Sequence, residues 1–172
     1  MKNRDYLLVD GYNVIFARDE LSNLAAESLD ISRRKLCDTL CDYAGLTEER
    51  VIAVFDAHLV DGGRGSVEAY HNIMIVFTKE AETADHYIER TSQKLVKQDR
   101  VTVATSDRLE QLIIIGQGAR RISARELWAD IENARDALRE RIMKMQSIKK
   151  NPIELLLDAE TARQLDELRY LK

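Results

Sequence analysis

Four aspartates stand where phosphodiester chemistry would need them. Asp10, Asp56 and Asp107 each end an apolar run of the sequence, and Asp85 lies within EAETADHYIE, in or just before the first turn of a predicted helix. Carboxylate oxygens are ligands that Mg²⁺ and Mn²⁺ prefer, and such an ion lowers the pKa of bound water and stabilises charge on a phosphodiester. The pattern indicates metal-assisted hydrolysis of a phosphate ester.

Each acid also has a purely structural explanation. Asp107 with Glu110 fits a capping box, and Asp85 suits the positive end of a helix dipole. Taken together, the four acids need a further explanation, because two carboxylates about 5 Å apart repel by roughly 3 kcal/mol at an effective dielectric constant of 20. A cluster of three or four is costly unless a cation neutralises it.

Polar residues beside these acids have two possible roles. Gly11 permits a tight turn or a close backbone approach after Asp10. Asn13 offers an amide that orients a ligand or water, or that caps a helix or turn. Ser106 either hydrogen-bonds a phosphate or caps the helix that follows it.

The apolar runs predict the elements that position the acids. Four buried strands are expected, at YLLVD (6–10), VIAVFD (51–56), IMIVF (73–77) and VTVATSD (101–107). Helical spacing between them, as at Leu36, Leu40 and Tyr43, predicts a parallel sheet with helices on both faces. Ligands of such sheets bind outside the carboxyl ends of the strands, near the point where strand order reverses.

The second half of the chain adds an edge strand and helices. ARRI (119–122) is predicted as the edge strand, and Ser123 with Glu126 forms a capping box that opens a long amphipathic helix. Pro152 is expected to stop that helix, with a final helix over roughly 158–171. We predict an α/β domain at 1–150 and a helical tail at 151–172, with a glycine-rich loop at 57–72.

Composition excludes several classes of protein. The chain has 172 residues, 45% of them hydrophobic, and its apolar N-terminal run is too short and too polar for a signal peptide or membrane span. We therefore expect a cytoplasmic protein without a membrane partner. Cys37 and Cys41 have no second ligand pair, so zinc is not expected.

The charge distribution favours one region for a polyanion. The net charge of −4 argues against binding nucleic acid through overall charge. Residues 119–150, however, carry nine Lys or Arg against five Asp or Glu. That segment is the expected contact for a polyanion.

Five motifs in order carry a family resemblance. They are LLVDGYN, VFDAHLV, FTKEAETADHYIE, VATSD and GQGARRISARELW, between residue 5 and about residue 145. The sequence resembles the YacP-type NYN-domain family, a branch of the PIN-like nucleases. The resemblance implies a PIN-like, Rossmann-like α/β fold and a metal-dependent endoribonuclease acting on single-stranded RNA. It further implies mRNA as substrate and the ribosome as a possible partner.

The resemblance also implies roles for individual residues. Asp10, Asp85 and Asp107 correspond to the catalytic acidic centre, and together with Asp56 they are the expected ligands of Mg²⁺ or Mn²⁺. The residues expected to bind substrate are Asn13, Ser106, Arg64, Arg120 and Arg121. The oligomeric state stays open.

Three other classes compete with a nuclease. A receiver-like phosphoacceptor domain would use Asp10, Asp56 and Thr105 or Ser106, but it needs a lysine after the last strand, where GQGARRIS supplies arginines. A haloacid-dehalogenase phosphatase needs a second aspartate at the position that Tyr12 occupies. A noncatalytic RNA-binding or ribosome-binding module would have no use for four acids.

Overall fold

The structure is a computed structural model that describes residues 4–56, 64–106, 116 and 118–150, with the backbone alone described at Arg64 and at 147–150. The chain divides into two units, Met1–Ala134 and Arg135–Lys172. The boundary predicted at residue 150 stays a prediction.

The first unit is built on a six-stranded, mostly parallel sheet. Its strands, in chain order, are β1 (Asp5–Asp10), β2 (Arg50–Phe55), β3 (Arg64–Tyr70), β4 (Ile73–Lys79), β5 (Arg100–Ala104) and β6 (Arg120–Ile122). Their order across the sheet is β3-β4-β2-β1-β5-β6, and only the β3–β4 pairing is antiparallel. The predicted fold class is confirmed.

The strand order distinguishes the predicted Rossmann-like fold from the receiver-like alternative. Numbered among themselves, the five parallel strands run 3-2-1-4-5 across the sheet. That is the Rossmann order, whereas receiver-like domains have the order 2-1-3-4-5. The receiver-like alternative is therefore wrong, and the order reverses between β1 and β5.

The glycine-rich segment 57–72 contains a strand, so its prediction as a loop is wrong over Arg64–Tyr70. This strand, β3, forms a hairpin with β4 through the turn at His71, whose φ is 51°. Gly65 has a φ of 68°, a conformation that glycine adopts without strain. Residues 57–63 lie outside the described residues.

Five helices are described. They are α1 (Gly11–Phe16), α2 (Asp19–Glu27), α3 (Leu29–Thr47), α4 (Ala84–Leu95) and α5 (Ala124–Lys150). Ala84 and Ile88 of α4 pack on one face of the sheet, in a cluster with Leu8 and Val54. Helices α1 to α3 and the first turns of α5 pack in the cluster on the other face, so the prediction of helices on both faces is confirmed.

Helix α5 begins at the predicted capping box. The Ser123 N–H donates to Glu126 Oε2 at 2.6 Å, and the Glu126 N–H donates to Ser123 Oγ at 3.2 Å. Two residues after Glu126, the Trp128 indole donates to the carbonyl of Val14 at 3.1 Å, and the Arg18 guanidinium lies 4.5 Å from the Trp128 ring centre. These contacts hold the first turns of α5 on α1.

The second unit is described from Arg135 to Lys150. Leu138, Ile142 and Met145 of its helical stripe are 40%, 44% and 57% exposed. The predicted stop at Pro152 and the predicted helix over 158–171 lie outside the described residues. None of the described helices is both long and apolar enough to span a bilayer.

Candidate active site

Asp10 joins β1 to α1. It is the last residue of the strand and the N-cap of the helix, and its Oδ1 accepts the Asn13 N–H at 3.1 Å. Because side chains alternate along a strand, Asp10 projects from the same face of the sheet as Leu8, which is the face that α4 covers. The carboxylate is half-buried and its orientation is fixed by the cap.

Gly11 lets the chain turn directly over β2. A Cβ built on this residue would lie 2.2 Å from Cε1 of Phe55, a ring that is fully buried. Only glycine fits this close approach without displacing the ring, as the sequence predicted. Tyr12 packs edge-on against the same ring, with centroids 5.3 Å apart, and is therefore a core residue.

Asn13 connects the two strands between which the sheet order reverses. Its Oδ1 accepts the Ser106 N–H at 3.0 Å. This bond ties the start of α1 to the segment that leaves β5. The side-chain oxygen predicted to bind substrate thus has a positioning role in the scaffold.

Ser106 caps a helix other than the one expected. Its Oγ accepts the N–H of Ala124, the first residue of α5, at 3.3 Å. One residue earlier, the Thr105 N–H donates to the carbonyl of Ile122 at 3.1 Å. The end of β5 is therefore tied to α1 on one side and to the start of α5 on the other.

Asp56 follows β2, the strand next to β1. Asp10 lies opposite Val54 on β2. Asp56 is two residues after Val54, which corresponds to about 6 to 7 Å along the strand direction at the usual rise per residue. Continued alternation puts its side chain on the same sheet face as Val54 and Asp10. Asp56 is half-buried.

Asp85 is brought to this edge by a short connection. Only residues 80–83 join the carboxyl end of β4 to α4, so the first turn of α4 begins at the carboxyl edge of the sheet. Thr83 is the N-cap, with its Oγ1 accepting the His86 N–H at 3.3 Å. Asp85 is the second residue of the helix, as predicted, and is exposed.

Asp10 and Asp56 thus lie at the carboxyl edge on the face that α4 covers, and Asp85 lies in the first turn of α4 at the same edge. Within the part of the chain that the structure describes, no group of three or more Asp, Glu, His or Cys is arranged to hold a metal ion. Asp107 lies outside the described residues, as does its predicted capping box with Glu110. The predicted acidic centre therefore stays a prediction.

The predicted arginines are spread more widely. Arg121 and Arg120 are both exposed on the edge strand β6. Arg120 acts electrostatically on Glu49, which directly precedes β2 and so lies at the amino edge of the sheet. Arg64 begins β3 opposite Lys79, near the carboxyl end of β4.

Two buried groups of α3 have strongly raised pKa values. Burial raises the pKa of Tyr43 to about 12, helped by the nearby carboxylate of Glu49. Burial likewise raises the pKa of the Cys37 thiol to about 12. These groups are perturbed by packing.

Sequence reasoning missed an ion pair on α4. Arg90 Nη2 lies 2.8 Å from Glu82 Oε1, and the guanidinium carbon lies 5.4 Å from the centre of the Tyr87 ring. The spacing of three between Tyr87 and Arg90 places those two residues on one side of the helix and indicates their ring contact, but Glu82 precedes α4, so no helical spacing indicates the ion pair.

Comparisons with known proteins agree on one group. The family model described as the YacP-like NYN domain matches residues 7–170. The chain is 44% identical over 146 residues to the uncharacterized protein YacP of Bacillus subtilis (strain 168), covering 84% of this chain and 85% of that protein.

Two crystal structures are also similar. A mutant of Rae1 (YacP) from Bacillus subtilis superposes with a TM-score of 0.71 at 42% identity, covering 83% of this chain and 84% of that chain. A second structure of Rae1 (YacP) gives a TM-score of 0.70 at 41% identity, covering 96% and 94%.

Proposed function

Since the chain belongs to the YacP-like NYN-domain family, whose domains are of nuclease type, we propose that it is a metal-dependent endoribonuclease that cleaves single-stranded RNA. Asp10, Asp85 and Asp107 form the catalytic centre, and Asp56 is a further metal ligand. The observation that supports the proposal most is the position of Asp10, Asp56 and Asp85, all at the carboxyl edge of the sheet near the reversal of strand order.

The donor set supports a hard divalent cation. All the candidate ligands are carboxylates, with no thiolate or imidazole among them, and oxygen ligands suit Mg²⁺ or Mn²⁺. Asp10 and Asp56 come from neighbouring strands and share the face that α4 covers. Their mutual repulsion is relieved by a positive ion, which when bound supplies an activated water and charge stabilisation at the phosphate.

The protein residues supply orientation. The Asn13 N–H fixes one oxygen of Asp10, so this carboxylate needs no rearrangement when a ligand arrives. The Thr83 cap fixes the first turn of α4 and hence the backbone of Asp85. The Asn13 side chain and Ser106 hold the end of β5, from which the chain continues to Asp107.

Substrate contacts fall to arginines on the strands at the two sides of the sheet. Arg121 on β6 and Arg64 at the start of β3 are at the two sides of the sheet, and they are candidates to hold RNA phosphates on either side of the acids. Arg120 is a weaker candidate because its charge acts on Glu49, at the amino edge.

The RNA partner belongs to the same proposal. We take mRNA at the ribosome as the substrate, and the excess of basic residues over 119–150 supports contact with a polyanion. A cytoplasmic location follows from that substrate.

The test is cleavage of an end-labelled single-stranded RNA by the full chain. We expect cleavage with Mn²⁺ or Mg²⁺ and none with EDTA. Hydrolysis by metal-activated water leaves a 5′-phosphate and a 3′-hydroxyl, so products with 2′,3′-cyclic phosphate ends would contradict the mechanism. RNA binding without any cleavage would favour a noncatalytic module.

A further inference from the structure

A cavity lies between the β3–β4 hairpin and α4, at the outer edge of the sheet. Its volume is about 570 Å³, within the range of small-molecule sites. Asp10, Asp56 and Asp85 are not among the described residues that line it. It is therefore separate from the acids of the proposed centre.

The floor of the cavity is apolar. Val67 of β3 pairs with Val76 of β4 across the hairpin, and both line the cavity. Val76 is buried in the cluster under α4, whereas Val67 is 60% exposed. A flat apolar group could cover Val67 and remove it from water.

The wall of the cavity is polar and cationic. Tyr87 and Arg90 of α4 form it, with Lys79 and His86 at the rim. Glu82 holds the Arg90 guanidinium at 2.8 Å. A guanidinium has five N–H donors, so this ion pair orients Arg90 while leaving it able to donate to a phosphate.

The cavity and Asp85 flank the same turn of α4. Successive helical residues project about 100° apart, so Asp85 and His86 point to different sides of the first turn. His86 lines the cavity and Asp85 does not. A nucleic acid strand lying across the start of α4 would contact both sides.

We propose that this cavity is a nucleotide subsite for single-stranded RNA, next to the acidic centre. One base lies on Val67 and Val76 against Tyr87, and the adjoining phosphate is bound by Arg90 with His86. Apolar and aromatic contacts of this kind accept any base, so the subsite positions the strand without reading its sequence. The inference rests on the proposed function, since it takes RNA as the ligand.

The first test measures binding of a fluorescent oligouridylate to the full chain in EDTA, where metal-dependent cleavage is absent. Arg90→Gln should weaken binding roughly tenfold, the effect of losing one charged hydrogen bond. It should also reduce the slope of log K against log salt by about 0.7, as for one lost phosphate contact. The matched control is Lys94→Gln, which removes one positive charge from the same helix outside the cavity lining and should leave both quantities nearly unchanged.

The second test uses Val67, which is 60% exposed on an edge strand. Val67→Glu puts a carboxylate in the cavity and should weaken binding more than Ala69→Glu, an exposed position on the same strand and face outside the lining. The subsite would be overturned if the cavity variant of either pair weakened oligouridylate binding no more than its control did. Absence of binding by the wild type would also overturn it.

Failure of the subsite and failure of the nuclease are distinguishable. Metal-dependent cleavage with equal binding by Arg90→Gln and Lys94→Gln would refute the subsite alone. Selective loss of binding in Arg90→Gln, without cleavage by the wild type in Mn²⁺, would refute the nuclease and leave the subsite.

Discussion

Asn13 shows how one side chain supports the proposed centre without belonging to it. The carbonyl oxygen of its amide accepts the Ser106 N–H at 3.0 Å, and its backbone N–H donates to the carboxylate of Asp10, the N-cap of α1. A single residue therefore connects the acid at the end of β1 with the segment that follows β5. Its contribution to activity is expected to be indirect.

Asn13→Ala removes the acceptor of the Ser106 N–H. We expect the free energy of unfolding to fall by about 1 kcal/mol, the net value of one such hydrogen bond, and the Ser106 amide to exchange faster with solvent. Hydrogen exchange followed by NMR measures the second effect. Asn23→Ala, at an exposed position of α2, is the control, and unchanged exchange at Ser106 would contradict this role.

For single residues, the sequence predicts the place in a strand or helix better than it predicts the hydrogen-bond partner. Asp10 at a strand end, Gly11 at a close approach and Asp85 in the first turn of a helix follow from local patterns, and the structure has all three. The partner of Asn13 is 93 residues away in sequence, so no local pattern indicates it. The cap that Ser106 provides to α5 was missed for the same reason.

At the scale of elements, α5 begins where its capping box predicts. The reciprocal bonds between Ser123 and Glu126 satisfy two amides of the first turn, and they lower the pKa of the Glu126 carboxyl. Because Ser106 also caps Ala124, this helix start adjoins the end of β5.

Ser123→Ala should lower the free energy of unfolding by about 1 kcal/mol, as for other N-cap residues. For a chain of this size that corresponds to a melting temperature lower by roughly 2 to 4 °C. Calorimetry of the variant beside Gln93→Ala, an exposed position within α4, checks it. A melting temperature equal to that of the control would show that the box does not stabilise the protein.

Strand β3 is the element that the sequence failed to predict. RGSVEAY has few large apolar residues, because an edge strand is half-solvated and is held by its pairing with β4. The glycine at position 65 favours a loop by composition, yet it serves an unusual backbone conformation within the strand. Pairing of this kind is decided by tertiary structure, which local propensity does not report.

At the scale of the whole molecule, the strand order carries the most functional information. The alternation of strands and helices predicts a parallel sheet, but it does not distinguish the order 3-2-1-4-5 from 2-1-3-4-5. The observed order excludes the receiver-like fold and sets the reversal beside Asp10. The family resemblance had predicted the same fold from motifs alone.

The pH dependence of stability also belongs to the whole molecule. Burial raises the pKa of Glu49, with a further increase from Asp5, while a hydrogen bond from Tyr43 acts the other way. Because the pKa of Glu49 is raised in the folded protein, burial of its carboxyl group does not lower the free energy of unfolding at pH values below the unfolded pKa of 4.5. As pH rises above this unfolded pKa, ionisation of Glu49 lowers the free energy of unfolding, and the decrease levels off once pH exceeds the folded pKa.

Glu49→Gln should therefore gain stability relative to the wild type as pH rises from about 4 to about 7. Urea unfolding at a series of pH values measures the difference in free energy. Glu20→Gln, an exposed residue of α2, serves as control and should show a flatter difference. A Glu49→Gln difference that does not change with pH would mean that burial of Glu49 has no energetic cost.

The acidic edge is tested most directly by the rate of RNA cleavage in Mn²⁺ for Asp85→Asn. Asp19→Asn is the matched control, because Asp19 is also an exposed aspartate in the first turn of a helix and lies outside the proposed centre. We predict that Asp85→Asn folds and binds RNA but cleaves it roughly a hundredfold or more slowly, since metal-assisted stabilisation is worth several kcal/mol. Asp19→Asn should cleave at the wild-type rate. Cleavage by Asp85→Asn at the rate of the control would contradict the assignment of the catalytic centre to this edge of the sheet.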